Sequence, residues 1–155
     1  MVTSDRLCLR LLRPADAVPL REVTSSGWVE AVAARPGDRT MTPWAVTLRD
    51  AGPLVGYCGF FVRPVKGTTM GYAILPQYRG RGLATEAAAA VLDWAERHDV
   101  DVYASVRPPN PASVRVLAKI GMRLVDSYVD EDGQREIYRR QSPGKGRQLS
   151  GRRPA

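Results

Sequence analysis

The stretch Leu75 to Arg97, LPQYRGRGLATEAAAAVLDWAER, runs from the end of a strand into a helix through a loop of alternating arginine and glycine. Pro76 stops the preceding strand, because proline cannot donate to a strand ladder. From Leu83 the apolar residues recur at helical spacing, which predicts a helix to about His98. A positive, glycine-containing loop that leads directly into a helix is therefore the local feature that organises the fold.

This loop has the chemistry of an anion site. Backbone N–H groups at a helix N-terminus lack internal partners and lie at the positive end of the helix dipole. Gly80 and Gly82 let the main chain approach an anion, and Arg79 and Arg81 add charge around it, which favours a diphosphate. No Gly-Lys-Ser/Thr ends the loop, and Thr85 stands where the dinucleotide fingerprint needs a small residue, so ATP and NAD are disfavoured. The alternative is a structural turn with solvated arginines.

The remaining elements are predicted from apolar periodicity and from turn residues. Their order favours an α+β domain with a mixed, mostly antiparallel sheet and flanking helices. The helix after the loop is predicted to form one βαβ crossover between parallel strands. Strands are expected at 5–12, 44–50, 54–64, 68–75, 100–106, 122–129 and 134–140, helices at 14–23, 27–34, 83–98 and 111–120, and loops at 35–43 and 65–67.

The chain of 155 residues favours one domain at 1–140 and a basic, disordered tail at 141–155. The net charge of +7 belongs mostly to the tail, since six of the 23 Lys and Arg residues follow Tyr138 and leave 17 against 16 acidic residues. Two interpretations of the tail stay open. It is either a solubilising segment or a contact for RNA, the ribosome or an acidic partner.

Cysteine usage and hydropathy limit the protein class. Cys8 and Cys58 each lie in an apolar, strand-like run without metal-ligand spacing, so both are expected to be buried thiols, and no metal site is expected. The N-terminus lacks the pattern of a secretory leader, and no window approaches the roughly 18 apolar residues of a membrane span. The expected protein is soluble and cytoplasmic, without membrane contact.

The loop residues Arg79 to Ala84 match the (Gln/Arg)-x-x-Gly-x-(Gly/Ala) signature, and on these residues the chain resembles the GNAT superfamily of N-acetyltransferases. The similarity extends over about residues 4 to 140. It is strongest to the branch of the ribosomal-protein N-terminal acetyltransferases. Further matching segments are Gly71-Tyr72, Ala84 to Ala87, Asn110 to Met122, and the two ends at 5–17 and 132–140.

The resemblance implies a GNAT-like fold and acetyl-CoA as co-substrate. Asn110 corresponds to a residue that meets the cofactor near its pantetheine, while a plain helix N-cap is the competing role. The strand before the loop is implied to diverge from its parallel neighbour, which exposes backbone groups to the pantetheine arm. The backbone groups implied to bind the pantetheine belong to Tyr72, Ala73 and Ile74. The residues implied to bind the diphosphate are Arg79, Gly80, Arg81, Gly82, Leu83, Ala84 and Thr85.

The catalytic positions depart from many family members. Leu117 stands where a general-acid Tyr is common, and Ser105 stands where one branch has a Glu base. Ser113 matches a Ser that the N-terminal-acetylating branch places near the thiol, so it is the candidate proton donor or thiolate stabiliser. The alternative for Ser113 is a hydroxyl that caps the helix. No side chain is identified as the base, and a water chain or an already neutral amine would serve.

The implied activity is direct acetyl transfer to a primary amine, without an acyl-enzyme. A protein N-terminal α-amine is the favoured acceptor, and a small-molecule amine, antibiotics included, is the alternative. Two other classes remain open: a non-catalytic acyl-CoA-binding regulatory module, and a ribosome- or RNA-associated protein that acts through its tail. A monomer and a homodimer are equally compatible with the sequence.

Four further residues or segments attract attention. Trp28 and Trp44 are candidates for the wall of an acceptor pocket, although core packing is the stronger expectation for both. His98 is expected to interact with the end of its helix. The acidic run Asp130 to Asp132 is expected to be a solvated turn.

Overall fold

A computed structural model of the chain describes residues 1–35, 41–63 and 67–140. Parts of the loops predicted at 35–43 and 65–67, and the whole predicted tail at 141–155, lie outside these residues. None of the helices in the described residues is long and apolar enough to cross a bilayer. The strands are β1 (Val2–Thr3), β2 (Leu7–Leu11), β3 (Pro43–Leu48), β4 (Leu54–Arg63), β5 (Gly67–Ile74), β6 (Val102–Val106), β7 (Met122–Asp130) and β8 (Gly133–Arg140). The helices are α1 (Ala17–Leu20), α2 (Ser26–Ala33), α3 (Leu83–Arg97) and α4 (Pro111–Lys119), with 3₁₀ turns at Pro14–Asp16 and Pro76–Tyr78.

Within the described residues, eight strands form one sheet in the order β1-β2-β3-β4-β5-β6-β8-β7. Neighbouring strands are antiparallel except for β5 and β6, which are parallel. A parallel pair needs a long crossover, and α3 supplies it. The predicted α+β architecture, with its mixed sheet and single βαβ crossover, is confirmed.

Helices cover both faces of the sheet. On one face α3 and α4 share a core with the sheet, in which Leu83, Val91 and Phe60 are buried. On the other face α1 and α2 form a smaller core, in which Leu20 packs in one cluster with Ala45 of β3. The side chains of a strand alternate between faces, so β3 contributes to both cores.

The N-terminal region differs from the sequence prediction in two ways. β1 was not predicted, and it extends the sheet edge by pairing Val2 with Leu9 of β2. The helix predicted at 14–23 is wrong in extent, since a 3₁₀ turn is followed by α1, which ends at Leu20. Pro19 lacks the N–H that would bond the carbonyl four residues earlier, and its ring crowds that carbonyl, so a longer regular helix is disfavoured there.

Candidate active site

The strands β5 and β6 part in the middle of the sheet. Their pairing runs from Thr68 with Val102 to Met70 with Ala104 and then ends. Beyond this point β5 stays paired with β4 up to Ile74, while β6 stays paired with β8. The backbone of 71–74 on the side that faces β6 therefore lies along a gap, which contains the predicted pantetheine-binding residues Tyr72, Ala73 and Ile74.

β4 and β5 approach each other closely beside the gap. A Cβ added at Gly56 would lie 2.1 Å from the carbonyl oxygen of Ala73, so only glycine fits at this contact. On the other side, Ser105 of β6 pairs with Ile137 of β8. β5 thus stays paired with β4, and β6 stays paired with β8. The gap lies between these two pairs of strands.

The predicted diphosphate loop lies at the start of α3. Gly80 and Gly82 have φ of 74° and 75°, the left-handed region in which a Cβ is unfavourable. Gly82 is the N-cap of α3 and has no side chain with which to cap it. The first N–H groups of the helix, including those of Leu83, Ala84 and Thr85, therefore meet no capping side chain and are available to an anion.

Two arginines of the loop make local contacts. The Nε of Arg79 donates to the carbonyl oxygen of Ile74 at 2.9 Å, which ties the loop to the end of β5. The guanidinium of Arg81 lies over the ring of Tyr78, 5.6 Å from its centroid. Both guanidinium groups retain further N–H donors, so these contacts are compatible with the charge role predicted for them.

A third guanidinium, from Arg6, lies against the same loop and was not predicted. Its Nη1 donates to the carbonyl oxygen of Arg81 at 3.0 Å. Its Nη2 lies 3.6 Å from the position that a Cβ on Gly82 would take. The sequence offers no local signal for this contact, since Arg6 precedes the loop by more than seventy residues.

Glu86 in the first turn of α3 anchors this arrangement. Its carboxylate accepts hydrogen bonds from the Ser4 hydroxyl at 2.7 Å, the Arg6 amide at 2.8 Å and the Arg6 Nε at 2.7 Å. Burial raises the pKa of Glu86, but these donors outweigh burial and hold the pKa below its usual range. The N-terminal segment is thereby fastened to the start of α3 and to the loop.

The start of α4 faces the gap from the side of α3. The Oδ1 of Asn110 accepts from the amide of Ser113 at 3.1 Å, so Asn110 is the N-cap. Its amide nitrogen keeps two donors, and the predicted contact with the cofactor is compatible with the cap. Within the described part of the chain no hydrogen bond engages the Ser113 hydroxyl, so the alternative of a capping hydroxyl finds no support there.

The side chain of Tyr72 links β5 to α4 across the gap. Its hydroxyl donates to the carbonyl oxygen of Ser113 at 3.4 Å, a long and therefore weak hydrogen bond. Burial raises the pKa of Tyr72, and the contact with Ser113 opposes this only in part, so the phenol is protonated at neutral pH. From the sequence, only the backbone of Tyr72 was assigned a role. The Gly71-Tyr72 pair was the available signal for its side chain.

A cleft of about 200 Å³ opens on the opposite face of the sheet. Gly71 and Ser105, the first residues beyond the last pair of β5 and β6, both line it. It therefore reaches the point at which the two strands part. Further lining residues are Phe61, Thr69, Met70 and Tyr103 of the sheet and Tyr128, Asp130 and Arg135 of the β7–β8 hairpin.

The three other residues noted in the sequence lie in different places: Trp44 in the core, His98 at a helix end and Trp28 beside the cleft. Trp44 is buried and packs edge-on against Trp94, so it belongs to the core. His98 stacks on Trp94, and its Nδ1 lies 2.8 Å from the Trp94 carbonyl oxygen at the helix end. Trp28 stacks on Phe61, which lines the cleft.

The two cysteines and the acidic turn complete the set of predicted features. Cys58 is fully buried, and burial raises the pKa of its thiol, while Cys8 is partly buried. Both are free thiols. In the hairpin turn, Asp130 and Asp132 form ion pairs with Arg135, so the acidic run is neutralised in part rather than simply solvated.

Comparison with known proteins identifies the family. The family model for the acetyltransferase (GNAT) domain matches residues 6–123. The uncharacterized protein YkkB of Bacillus subtilis (strain 168) is 32% identical over 104 residues, which are 64% of this chain and 60% of YkkB. The chain therefore spans less than two thirds of the length of this relative.

Solved structures share the fold at low identity. An acetyltransferase from Agrobacterium tumefaciens superposes with a TM-score of 0.77 at 24% identity, covering 91% of this chain and 94% of that one. RimL, a ribosomal L7/L12 alpha-N-protein acetyltransferase solved with Coenzyme A, superposes with a TM-score of 0.68 at 17% identity, covering 88% and 94%. The residues that match the family model include both parting strands and the loop before α3. On this match, the chain belongs to the GNAT acetyltransferase family.

Proposed function

We propose that this protein transfers the acetyl group of acetyl-CoA directly to a primary amine. The parting of β5 and β6 after Met70 and Ala104 is the observation that carries the proposal. It opens a passage through the sheet between two sides with different chemistry. On one side lie the loop and the start of α4, and on the other lies the cleft. Acetyl-CoA is the acetyl donor of the family, and it supplies a thioester that an amine can attack.

The loop before α3 and the gap between β5 and β6 bind different parts of acetyl-CoA. The N–H groups from Gly80 to Thr85 bind the diphosphate, and Arg79, Arg81 and Arg6 surround it with positive charge. The backbone of 72–74 bonds the pantetheine arm in the manner of an added strand. Asn110 donates its amide N–H groups near the same arm while its oxygen caps α4.

The residues at the end of the gap assist the departure of the thiolate. The new C–N bond forms as the C–S bond breaks, the attacking nitrogen gives up one proton to water, and the thiolate takes up a proton or accepts a hydrogen bond. The Ser113 hydroxyl, at the start of α4, is the group proposed for this role. Tyr72 is assigned a positioning role, because its hydroxyl donates to the Ser113 carbonyl.

The acceptor enters through the cleft as a neutral amine. Asp130 is paired with Arg135, so the cleft offers no unpaired carboxylate as a strong base among the residues that line it. An α-amine, with a pKa of about 8, supplies a substantial neutral fraction near physiological pH, whereas a lysine side chain with a pKa of about 10.4 does not. This favours the N-terminal α-amine of a protein over a lysine. The alpha-N-protein specificity in the name of RimL supports the same choice.

Thiol release from acetyl-CoA tests the proposal. We expect release with peptides that have a free N-terminus, and none with the same peptides blocked at the N-terminus. A lysine-containing, N-terminally blocked peptide and a set of small amines are the comparison substrates. Tight acetyl-CoA binding without thiol release for any amine would instead identify a non-catalytic acyl-CoA-binding module.

A further inference from the structure

Three aromatic rings form a continuous wall beside the cleft. Trp28 of α2 stacks on Phe61 of β4 with ring centroids 5.8 Å apart and planes 14° apart. The ring of Tyr57 lies 5.1 Å from Trp28 and 6.4 Å from Phe61. We call Trp28, Tyr57 and Phe61 the aromatic wall. All three side chains are partly buried, so each keeps some exposed surface.

The wall adjoins the passage between β5 and β6. Phe61 itself lines the cleft. A Cβ on Gly71 would lie 2.6 Å from the Phe61 ring, so the ring rests directly on the backbone of Gly71. Gly71 is the first residue of β5 beyond its last pair with β6. An amine that reaches the passage from the cleft therefore brings its nearest substituent against Phe61.

The side of the cleft that the β7–β8 hairpin forms carries balanced charge. Its ionisable side chains include the carboxylate of Asp130 and the guanidinium of Arg135. The Oδ2 of Asp130 lies 3.1 Å from the Nε of Arg135. Recognition of a polycation needs several unpaired carboxylates, which these lining residues do not supply. The hydroxyl groups of Thr69, Ser105 and Tyr128 add polar but uncharged surface. Apolar contact with the rings that line the cleft, Phe61 of the aromatic wall together with Tyr103 and Tyr128, is thus the main source of binding free energy there.

The size of the cleft limits the substituent. Its volume of about 200 Å³ is below the roughly 300–1,000 Å³ of pockets that enclose drug-sized ligands. One amine and one side-chain-sized group fit within it. The remainder of a larger acceptor would extend into solvent.

From this geometry we infer that the acceptor is an amine with one aromatic or large apolar group next to the nitrogen, which packs on Phe61. For a protein acceptor this is the side chain of the first residue. The inference rests on the proposed acetyl transfer and specifies its substrate class. It makes Phe61, with Trp28 behind it, the residue that determines acceptor preference.

A peptide series that differs only in its first residue tests the inference. Phe, Leu, Ala, Ser, Asp and Lys at this position are compared through kcat/KM at saturating acetyl-CoA. We expect Phe and Leu to exceed Ala by roughly 10- to 100-fold, the effect of burying a large apolar side chain. Among small amines, 2-phenylethylamine should exceed 1,4-diaminobutane in the same way.

Variants of Phe61 connect the preference to the wall. Phe61→Ala should reduce the ratio of the Phe peptide to the Ala peptide to within about 3-fold, while Phe61→Leu, which keeps apolar volume, should retain part of it. Val62→Ala is the control on the same strand, because Val62 is 58% exposed and does not line the cleft. Its ratio should equal that of the wild type. Thermal unfolding of each variant confirms that it is folded.

The outcomes separate the inference from the proposed function. Acetyl transfer with equal kcat/KM across the series, or a preference for Asp or Lys, overturns the inference and leaves acetyl transfer intact. An unchanged ratio in folded Phe61→Ala also overturns it. Absence of transfer to every amine overturns the proposed function itself.

Discussion

The Nε of Arg6 lies 2.7 Å from the Oε2 of Glu86, although 80 residues separate them in the chain. This ion pair joins the turn between β1 and β2 to the first turn of α3. Because Arg6 also donates to the carbonyl of Arg81, the same contact fixes the loop that is proposed to bind the diphosphate. The N-terminal segment thus contributes to the proposed diphosphate site through a contact between residues distant in the chain.

Replacement of Glu86 tests this anchor. We expect Glu86→Gln to lower the free energy of unfolding by about 1–2 kcal/mol, because three hydrogen bonds to a charged acceptor weaken while Arg6 remains half exposed to solvent. Glu96→Gln on the same helix is the control. Glu96 pairs with Arg140 at the surface, so its loss should cost less than about 0.5 kcal/mol. Equal losses in urea denaturation would contradict the anchor.

The anchor also predicts a pH dependence. The folded-state pKa of Glu86 lies below its ordinary value of 4.5, so its contribution to stability is present above that pH and is lost as the pH falls through the folded pKa. The difference in unfolding free energy between the wild type and Glu86→Gln should therefore be constant near neutral pH and shrink in acid. Urea titrations from neutral pH downward measure it. A difference that grows in acid would show that the sign is wrong.

Substitution of Gly82 tests the diphosphate loop. Gly82→Glu should weaken acetyl-CoA binding by roughly 100-fold or more, because it adds bulk and negative charge where an anion is expected. Gly82→Ala separates charge from backbone strain, since the φ of 75° is unfavourable for both replacements. Isothermal titration with CoA compares the two variants. If Gly82→Glu bound CoA as well as Gly82→Ala does, the loop assignment would fail.

Removal of the Ser113 hydroxyl tests the proposed assistance to the thiolate. Ser113→Ala should lower kcat by roughly 100-fold with little change in CoA affinity, in the range of a lost proton-transfer group. The fold should tolerate the change, since Asn110 caps the Ser113 amide and not its hydroxyl. Steady-state kinetics and CoA titration check the two halves of this expectation. An unaltered kcat would assign the step to another group.

Tyr72→Phe provides the companion measurement. Because its hydroxyl makes only a 3.4 Å contact to the Ser113 carbonyl, we expect kcat to fall by no more than about 10-fold. The pH dependence of kcat should be the same in the variant and the wild type. A larger fall, with the loss of an alkaline limb from the pH profile, would identify Tyr72 as the proton donor in place of Ser113.

The elements that the sequence predicted are those with local causes. The helix α3 follows from apolar spacing within one segment, and Gly80 and Gly82 mark a left-handed loop because few other residues adopt that conformation. The N-cap at Asn110 is likewise visible from residue type and position. In contrast, β1 is only two residues long and has no periodicity to detect, and it forms because β2 offers an edge.

The local sequence thus determined the loop, the helix that follows it and the expectation of a bound diphosphate, because these depend on backbone conformation within a few residues. Tertiary structure decided the contact of Arg6 with Glu86, the residue pair at which β5 and β6 part, and the aromatic wall beside the cleft. Each of these joins residues that are distant in the chain, through packing and pairing that no local pattern encodes. The physical division is between conformational preference, which is local, and complementarity of surfaces, which exists only after folding.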